Sequence, residues 1–303
     1  MKLPILPSVP SDAHKGTFGT ALIVGGCRGM SGAPVLAGMA ALRGGAGLVW
    51  LSVPDRIADI VAAFDPCYMT IPLPCDCMGR LSLESETDLA RAAQNATAVG
   101  LGPGLAQTPG LRELVGRMYA GVPRPMVVDA DALNCLATTP ELLRYGEGPR
   151  ILTPHPGEFA RLAGLAAPVR IPPPGQPSIA GETARPARAE MLSIAVEKAR
   201  FWNTVVVLKG QGTLVTDGER QYVNTTGNPG MATGGSGDVL TGLLTALLCR
   251  GMAAFDAAVL GVYLHGLAGD LAASRVGKVG MTARNIVETL PEAFQEYEGT
   301  KAG

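Results

Sequence analysis

The sequence predicts an α/β protein: a central, mostly parallel sheet in a three-layer arrangement with helices on both faces. Three observations predict it. Short runs rich in Val, Ile and Leu recur along the chain, each ending in Gly, Pro, Asp or Asn. Helical patterns separate them. The runs are apolar throughout rather than alternating, as strands buried on both faces are.

Taken in order, "TALIVGG" (20–26) is a buried strand entering a glycine turn. "PVLAGMAALRGGAG" (34–47) is an Ala-rich helix stopped by glycine, and "LVWLSVP" (48–54) is the next strand. "ATAVGLGPG" (96–104), "RPMVVDADALN" (124–134), "RILTPHPGE" (150–158) and "NTVVVLKGQGT" (203–213) repeat the scheme. "GTLVTDGERQYVN" (212–224) carries Asp-Gly between alternating residues, the mark of a β-hairpin. The segment 164–190, rich in Pro and Ala, reads as a long surface excursion before the helix "MLSIAVEKARFW" (191–202). Neither an internal repeat nor a domain linker interrupts residues 1–303, so one domain is expected.

Composition narrows the function. With 47% hydrophobic and 17% charged residues, a packed globular chain is favoured over disorder. The formal net charge of −1 gives no attraction to nucleic acid or to an anionic membrane. No continuous apolar run reaches the ~18 residues of a membrane span. The six cysteines (27, 67, 75, 77, 135 and 249) lack zinc spacing and read as reduced, buried thiols. A cytoplasmic location is expected.

Ligands of such sheets bind beyond the carboxyl ends of the strands, where the glycine-rich and charged residues of this chain fall. "NPGMATGGSGDVLTGLL" (228–244) puts four glycines into eight residues just before an apolar helix. Backbone N–H groups and the helix dipole would there form an anion hole for phosphate. Asp238 beside it is either a proton-transfer group or a helix cap. Lys209 in "LKGQGT" (208–213) can reach a phosphate, helped by Thr213 and the backbone of Gly210 and Gly212, or it is a solvated strand-end lysine. His155, between two prolines in "TPHPGE", is a ligand contact or a turn residue. Glu158 caps the following helix or binds a metal through water. Asp129 and Asp131 are helix caps or magnesium neighbours. His14 and His265 have no evident partners and read as structural. "GLGPGL" (100–105) is a tight turn or a ligand contact but not a dinucleotide fingerprint, since Gln107 stands where its third glycine should be.

Seven segments together carry a resemblance: "HKGTFGTALIVGG", "SGAPVLAGMAALRGGAGLV", "GLGPGL", "VVDADALN", "ILTPHPGEFARL", "VVLKGQGTLV" and "NPGMATGGSGDVLTGLLTALL". In content and order they resemble ADP-dependent NAD(P)H-hydrate dehydratases, enzymes with a ribokinase-like fold that repair hydrated nicotinamide cofactors. The resemblance implies dehydration of (6S)-NADHX or NADPHX, with ADP (or ATP) as co-substrate, Mg2+, and release of AMP and phosphate. It implies that Ala33, Gly104, His155 and Asp238 contact the hydrate. Lys209, Gly210, Gln211, Gly212, Thr213 and Gly237 would hold the nucleotide, and Asp238 would transfer protons. A homotetramer is implied as well. Many relatives carry an N-terminal epimerase domain. Here the motifs begin at residue 14, so a stand-alone dehydratase working beside a separate NAD(P)HX epimerase is expected. The 164–190 segment is longer and richer in proline than the family pattern. The rival reading is a ribokinase-like kinase of a small alcohol or vitamin precursor, built on the same glycine loop and aspartate.

Overall fold

The computed structural model describes residues 2–165 and 188–299. The excursion expected over 164–190 falls almost wholly outside them.

Nine strands form one sheet. In chain order the elements are β1 (Thr20–Val24), α1 (Gly32–Arg43), β2 (Leu48–Pro54), α2 (Asp55–Ala62), β3 (Met69–Leu73), α3 (Glu86–Asn95), β4 (Ala98–Leu101), α4 (Pro109–Gly121), β5 (Met126–Val128), α5 (Ala130–Leu136), β6 (Arg150–Leu152) and α6 (Pro156–Leu162). They continue with α7 (Arg188–Trp202), β7 (Val205–Leu208), β8 (Leu214–Thr216), β9 (Gln221–Val223), α8 (Ser236–Cys249), α9 (Ala254–Gly280) and α10 (Ala283–Gly299). The strand order is β3-β2-β1-β4-β5-β6-β7-β8-β9. All pairs from β3 to β7 are parallel; β8 and β9 are antiparallel and form the hairpin expected around Asp217-Gly218.

Strand alternation divides the core in two. Ile23, Leu51, Val127, Ile151 and Val207 face one side, where α1, α8, α9 and α10 pack. Leu22, Val99, Val128, Leu152 and Val206 face the other, against α3, α4, α5, α6 and α7. Consecutive strand residues thus bury opposite faces, which explains why the strands read as unbroken apolar runs. This is the three-layer architecture the sequence predicts.

Two expectations need correction. Cys27, Cys135 and Cys249 are buried, but Cys67 and Cys77 are exposed and Cys75 is half-buried; all six are free thiols. In addition, α9 is long and apolar enough by length and composition to cross a membrane, with mean hydropathy 1.3. It escapes the search for continuous runs because Asp256, His265, Asp270 and Arg275 punctuate it. Of its most apolar window, 67% is buried within the protein, so α9 serves as a core helix.

The order also defines where a ligand fits. From β1 the chain runs outward to β2 and β3, then returns to place β4 on the other side. The β1–β4 boundary is thus the topological switch point, the place where doubly wound sheets have their ligand crevice.

Candidate active site

Five parallel strands deliver their carboxyl-end loops to one edge, and backbone hydrogen bonds tie those loops together. Gly26 N–H donates to Pro103 O (2.7 Å), Asp129 N–H to Leu101 O (3.0 Å), Thr153 N–H to Val128 O (3.1 Å) and Lys209 N–H to Pro154 O (2.9 Å). Gly102, with φ of 128°, is required at this junction: a Cβ there would lie 1.8 Å from Asp129 O. In the crevice, a Cβ on Gly104 would come within 3.0 Å of the Ala33 Cβ, so these two predicted residues adjoin.

Alternation explains the polar centre. Val127, Ile151 and Val207 point toward the α8 side. Two residues farther along, Asp129, Thr153 and Lys209 point the same way. Lys209 Nζ donates to Asp129 Oδ1 at 2.6 Å, and Thr241 Oγ1 of α8 donates to Asp129 Oδ2 at 2.9 Å. Burial would raise the Asp129 pKa, but the Lys209 charge, helped by Thr153 and Thr241, holds it below the ordinary carboxylate range. Burial would likewise depress Lys209; Asp129, Glu158 and Asp238 hold it above its usual value. The cap reading of Asp129 from sequence does not survive. It occupies the N-cap position of α5 without a capping hydrogen bond, because both oxygens are engaged elsewhere. Nor is Lys209 a solvated lysine, with a side chain 21% exposed.

The glycine run opens α8 as expected. Gly235 is the N-cap, left-handed at φ 91°, and no side chain caps the helix. The N–H groups of Gly237 and Asp238 have no hydrogen-bond acceptor among the described residues. Gly237 lies against the ion pair: a Cβ there would be 3.3 Å from Lys209 Nζ and 3.4 Å from Asp129 Oδ2. Asp238 is therefore not a cap. Its carboxyl makes no hydrogen bond among the described residues, and burial, then the Asp129 charge, push its pKa up to about 7. Behind the loop, His265 Nε2 lies 3.0 Å from Ser236 O, a partner invisible in sequence. Burial lowers its pKa to about 4, which keeps it neutral.

His155 caps α6. Its Nδ1 accepts from Gly157 N–H (3.0 Å) and Glu158 N–H (3.2 Å), while Glu158 Oε2 accepts from His155 N–H (2.8 Å). This capping box bears out the cap reading of Glu158, whose pKa burial raises to about 7. With Nδ1 an acceptor, a neutral His155 carries its proton on Nε2. Burial, then Lys209 and Arg161, depress its pKa. On the other flank Asp131 holds the "GLGPGL" turn, accepting from Ala106 N–H at 2.8 Å. An open groove of ≈ 540 Å³, lined by Gln107, Asn134, Ala137, Thr138 and Arg161, extends past α6. In "LKGQGT", Thr213 Oγ1 donates to Gly210 O (2.9 Å), closing the loop that contains Gln211 and Gly212. His14, also given a partner by the structure, caps a short 3₁₀ turn through its Nδ1.

The residues thus gather in two groups: Ala33 and Gly104 in the crevice, and His155, Lys209, Gly237 and Asp238 around the ion pair. No cluster of three His, Cys, Asp or Glu suited to a metal occurs among the described residues.

Comparison with known proteins follows the same lines. The family profile described as NAD(P)H-hydrate dehydratase matches residues 21–292. The bifunctional NAD(P)H-hydrate repair enzyme Nnr of Moorella thermoacetica is 42% identical over 97% of this chain and 52% of its own length. The chain thus spans about half the length of the curated relatives it matches first. The ADP-dependent (S)-NAD(P)H-hydrate dehydratase of Neisseria meningitidis is 38% identical, covering 91% of this chain and 84% of that protein. The Bacillus subtilis ADP/ATP-dependent NAD(P)H-hydrate dehydratase, co-crystallised with ATP/Mg2+, superposes with a TM-score of 0.77 at 28% identity, covering 96% and 94% of the two chains. Arabidopsis thaliana ribokinase, at 14% identity and a TM-score of 0.54 over 91% and 98%, shares the fold alone.

Proposed function

The chain belongs to the NAD(P)H-hydrate dehydratase family, and on that premise we propose that it dehydrates (6S)-NADHX or NADPHX to NADH or NADPH. ADP is the co-substrate, split into AMP and phosphate. One observation carries the reading: unsatisfied N–H groups at the start of α8 adjoin both a lysine and a carboxyl group poised near neutrality.

Hydroxide leaves the hydrated ring poorly; phosphate leaves well. Asp238, ionised, accepts the hydroxyl proton as that oxygen attacks the terminal phosphoryl group of ADP and the bond to AMP breaks. The N–H groups of Gly237 and Asp238, with Lys209, hold the phosphoryl oxygens. Phosphate then departs with the C–O electron pair while the neighbouring ring carbon gives up a proton to the departing phosphate or to solvent, and the C–H electrons form the double bond. The loop from Gly210 to Thr213 holds the rest of the nucleotide.

Ala33, Gly104 and His155 contact the hydrate. Magnesium would be held by the phosphates of the nucleotide and would offset their charge. We further propose a cytoplasmic homotetramer that works with an epimerase activity.

The test is to mix the protein with NADHX and either ADP or ATP and follow NADH absorbance. Appearance of NADH supports the reading. Phosphorylation of a small alcohol, with no binding of NADH or NADPH at millimolar concentration, would establish the kinase instead.

A further inference from the structure

The Asp129–Lys209 pair lies beneath the proposed anion hole, and Asp129 itself has no part in the chemistry above. Its placement is unusually constrained. Asp129 is 1% exposed, its N–H is tied to Leu101 O at 3.0 Å, and its two oxygens are held by Lys209 and Thr241. Ala130, next in the chain, has a φ of 51°, a left-handed conformation that residues with a Cβ rarely adopt. Chain conformation is thus strained at the residue that sets this carboxylate.

Lys209 stands among three acidic groups that act on its charge: Asp129, Glu158 and Asp238. Among the described residues it forms an ion pair with Asp129 alone. Gly237, immediately before Asp238, leaves the ammonium uncovered toward the first turn of α8. A lysine ammonium is a compact charge on a flexible stem, and a buried one deprived of its partner turns to the next available carboxylate.

We propose that Asp129 is a positioning residue that anchors the Lys209 ammonium beneath Gly237 and keeps it from pairing with the Asp238 carboxyl. The anchor leaves the lysine presented to phosphate and leaves Asp238 free to exchange a proton. This proposal rests on the reading of Asp238 as the proton-transfer group, but its physical content does not need turnover.

The charged and titratable groups facing Asp238 are Lys209 at the end of β7, Asp129 after β5 and Asp131 on α5. His265 of α9, behind Ser236, is neutral above its pKa of about 4. In Asp129→Asn two changes act in one direction. The negative charge that raises the Asp238 pKa is gone, and the released ammonium can pair with Asp238, which lowers it further.

The experiment is a carbon-13 NMR titration of aspartate-labelled protein without nucleotide, with the Asp238 and Asp129 signals assigned from Asp238→Asn and Asp129→Asn. The Asp238 signal should titrate near pH 7 in the unmodified chain and at least ~1 unit lower in Asp129→Asn. An unmoved Asp238 midpoint overturns the proposal. If Asp129→Asn does not fold, the unmodified chain still decides. The Asp129 signal should stay ionised down to about pH 4, and titration above that value removes the ion pair on which the proposal depends. A chain that titrates as expected but does not convert NADHX would refute the dehydratase reading and leave the anchor standing.

Discussion

Replacing Asp238 with Asn should make the protein slower and, at alkaline pH, more stable. The two effects share one cause. Burial, then Asp129, raises the Asp238 pKa from 3.8 to about 7. Between those values the native carboxyl keeps its proton while the unfolded chain has lost it. The native state then binds more protons, so this group's contribution to stability falls as pH rises from about 4 to about 7. A shift of roughly 3 units at about 1.4 kcal/mol each sets a ceiling near 4 kcal/mol. Asp238 is only partly buried and asparagine keeps a polar group there, so ~1–2 kcal/mol should be recovered. For a chain of this size that is a rise in Tm of roughly 1.5–3 °C. Thermal unfolding of both forms from about pH 4 to pH 8.5 measures it: the Tm values should coincide at the acidic end, separate steadily as pH rises to about 7, and stay apart above that. Turnover should fall by ~10² or more, the scale of a positioned acid–base group, with nucleotide affinity retained. In the unmodified enzyme, activity should rise through pH 7 as Asp238 ionises. Parallel stability curves across the range, or near-normal turnover, would refute the reasoning.

Three further changes test separate parts of the site. His155→Asn keeps an N-cap acceptor and His155→Ala does not, so only the alanine variant should lose ~1 kcal/mol in denaturant unfolding; both should raise the KM for the hydrate. Lys209→Met leaves Asp129 buried without its counter-charge and should cost ~3–5 kcal/mol of stability as well as nucleotide affinity, measured by unfolding and calorimetric titration. Ala130→Gly relieves the left-handed strain at φ 51° and should leave stability equal or ~1 kcal/mol higher in the same unfolding assay.

The parallel sheet was legible because its inner strands β1, β4, β5, β6 and β7 are buried on both faces and are followed by residues that break the pattern, whereas the more exposed β3 was not read from the sequence. The same uniformity hid the polar centre. With both faces apolar, nothing in "VVVLK" or "MVVD" says which face Lys209 or Asp129 takes, and 80 residues separate the pair. Thr241 and Thr153 were missed for that reason: each reads as an unremarkable residue beside an apolar run. The glycine loop was legible because its feature lies in the backbone: N–H groups at the start of α8 without an acceptor among the described residues. His155 was legible only as an alternative, since the prolines that fix its backbone serve a cap and a ligand contact equally. The structure shows the cap: Nδ1 is committed to it, while Nε2 lies 3.5 Å from Glu158 Oε1.

Two aspartates around one lysine divide the work by environment. Asp129 and Asp238 both lie near Lys209, yet Lys209 and the hydroxyls of Thr153 and Thr241 hold the first below its usual pKa, while burial holds the second near 7. Pairs of carboxylates pushed apart in this way separate a permanent charge from an exchangeable proton. The Asp129 charge favours the cationic form of Lys209 and also makes the loss of a proton from Asp238 harder. Arrival of a nucleotide phosphate adds negative charge at Gly237 and should raise the Asp238 pKa further. The consequence can be measured: the Asp238 midpoint should move upward when AMP and phosphate are added. A midpoint that moves downward, or stays fixed at saturating ligand, would mean that the phosphate does not sit at the first turn of α8.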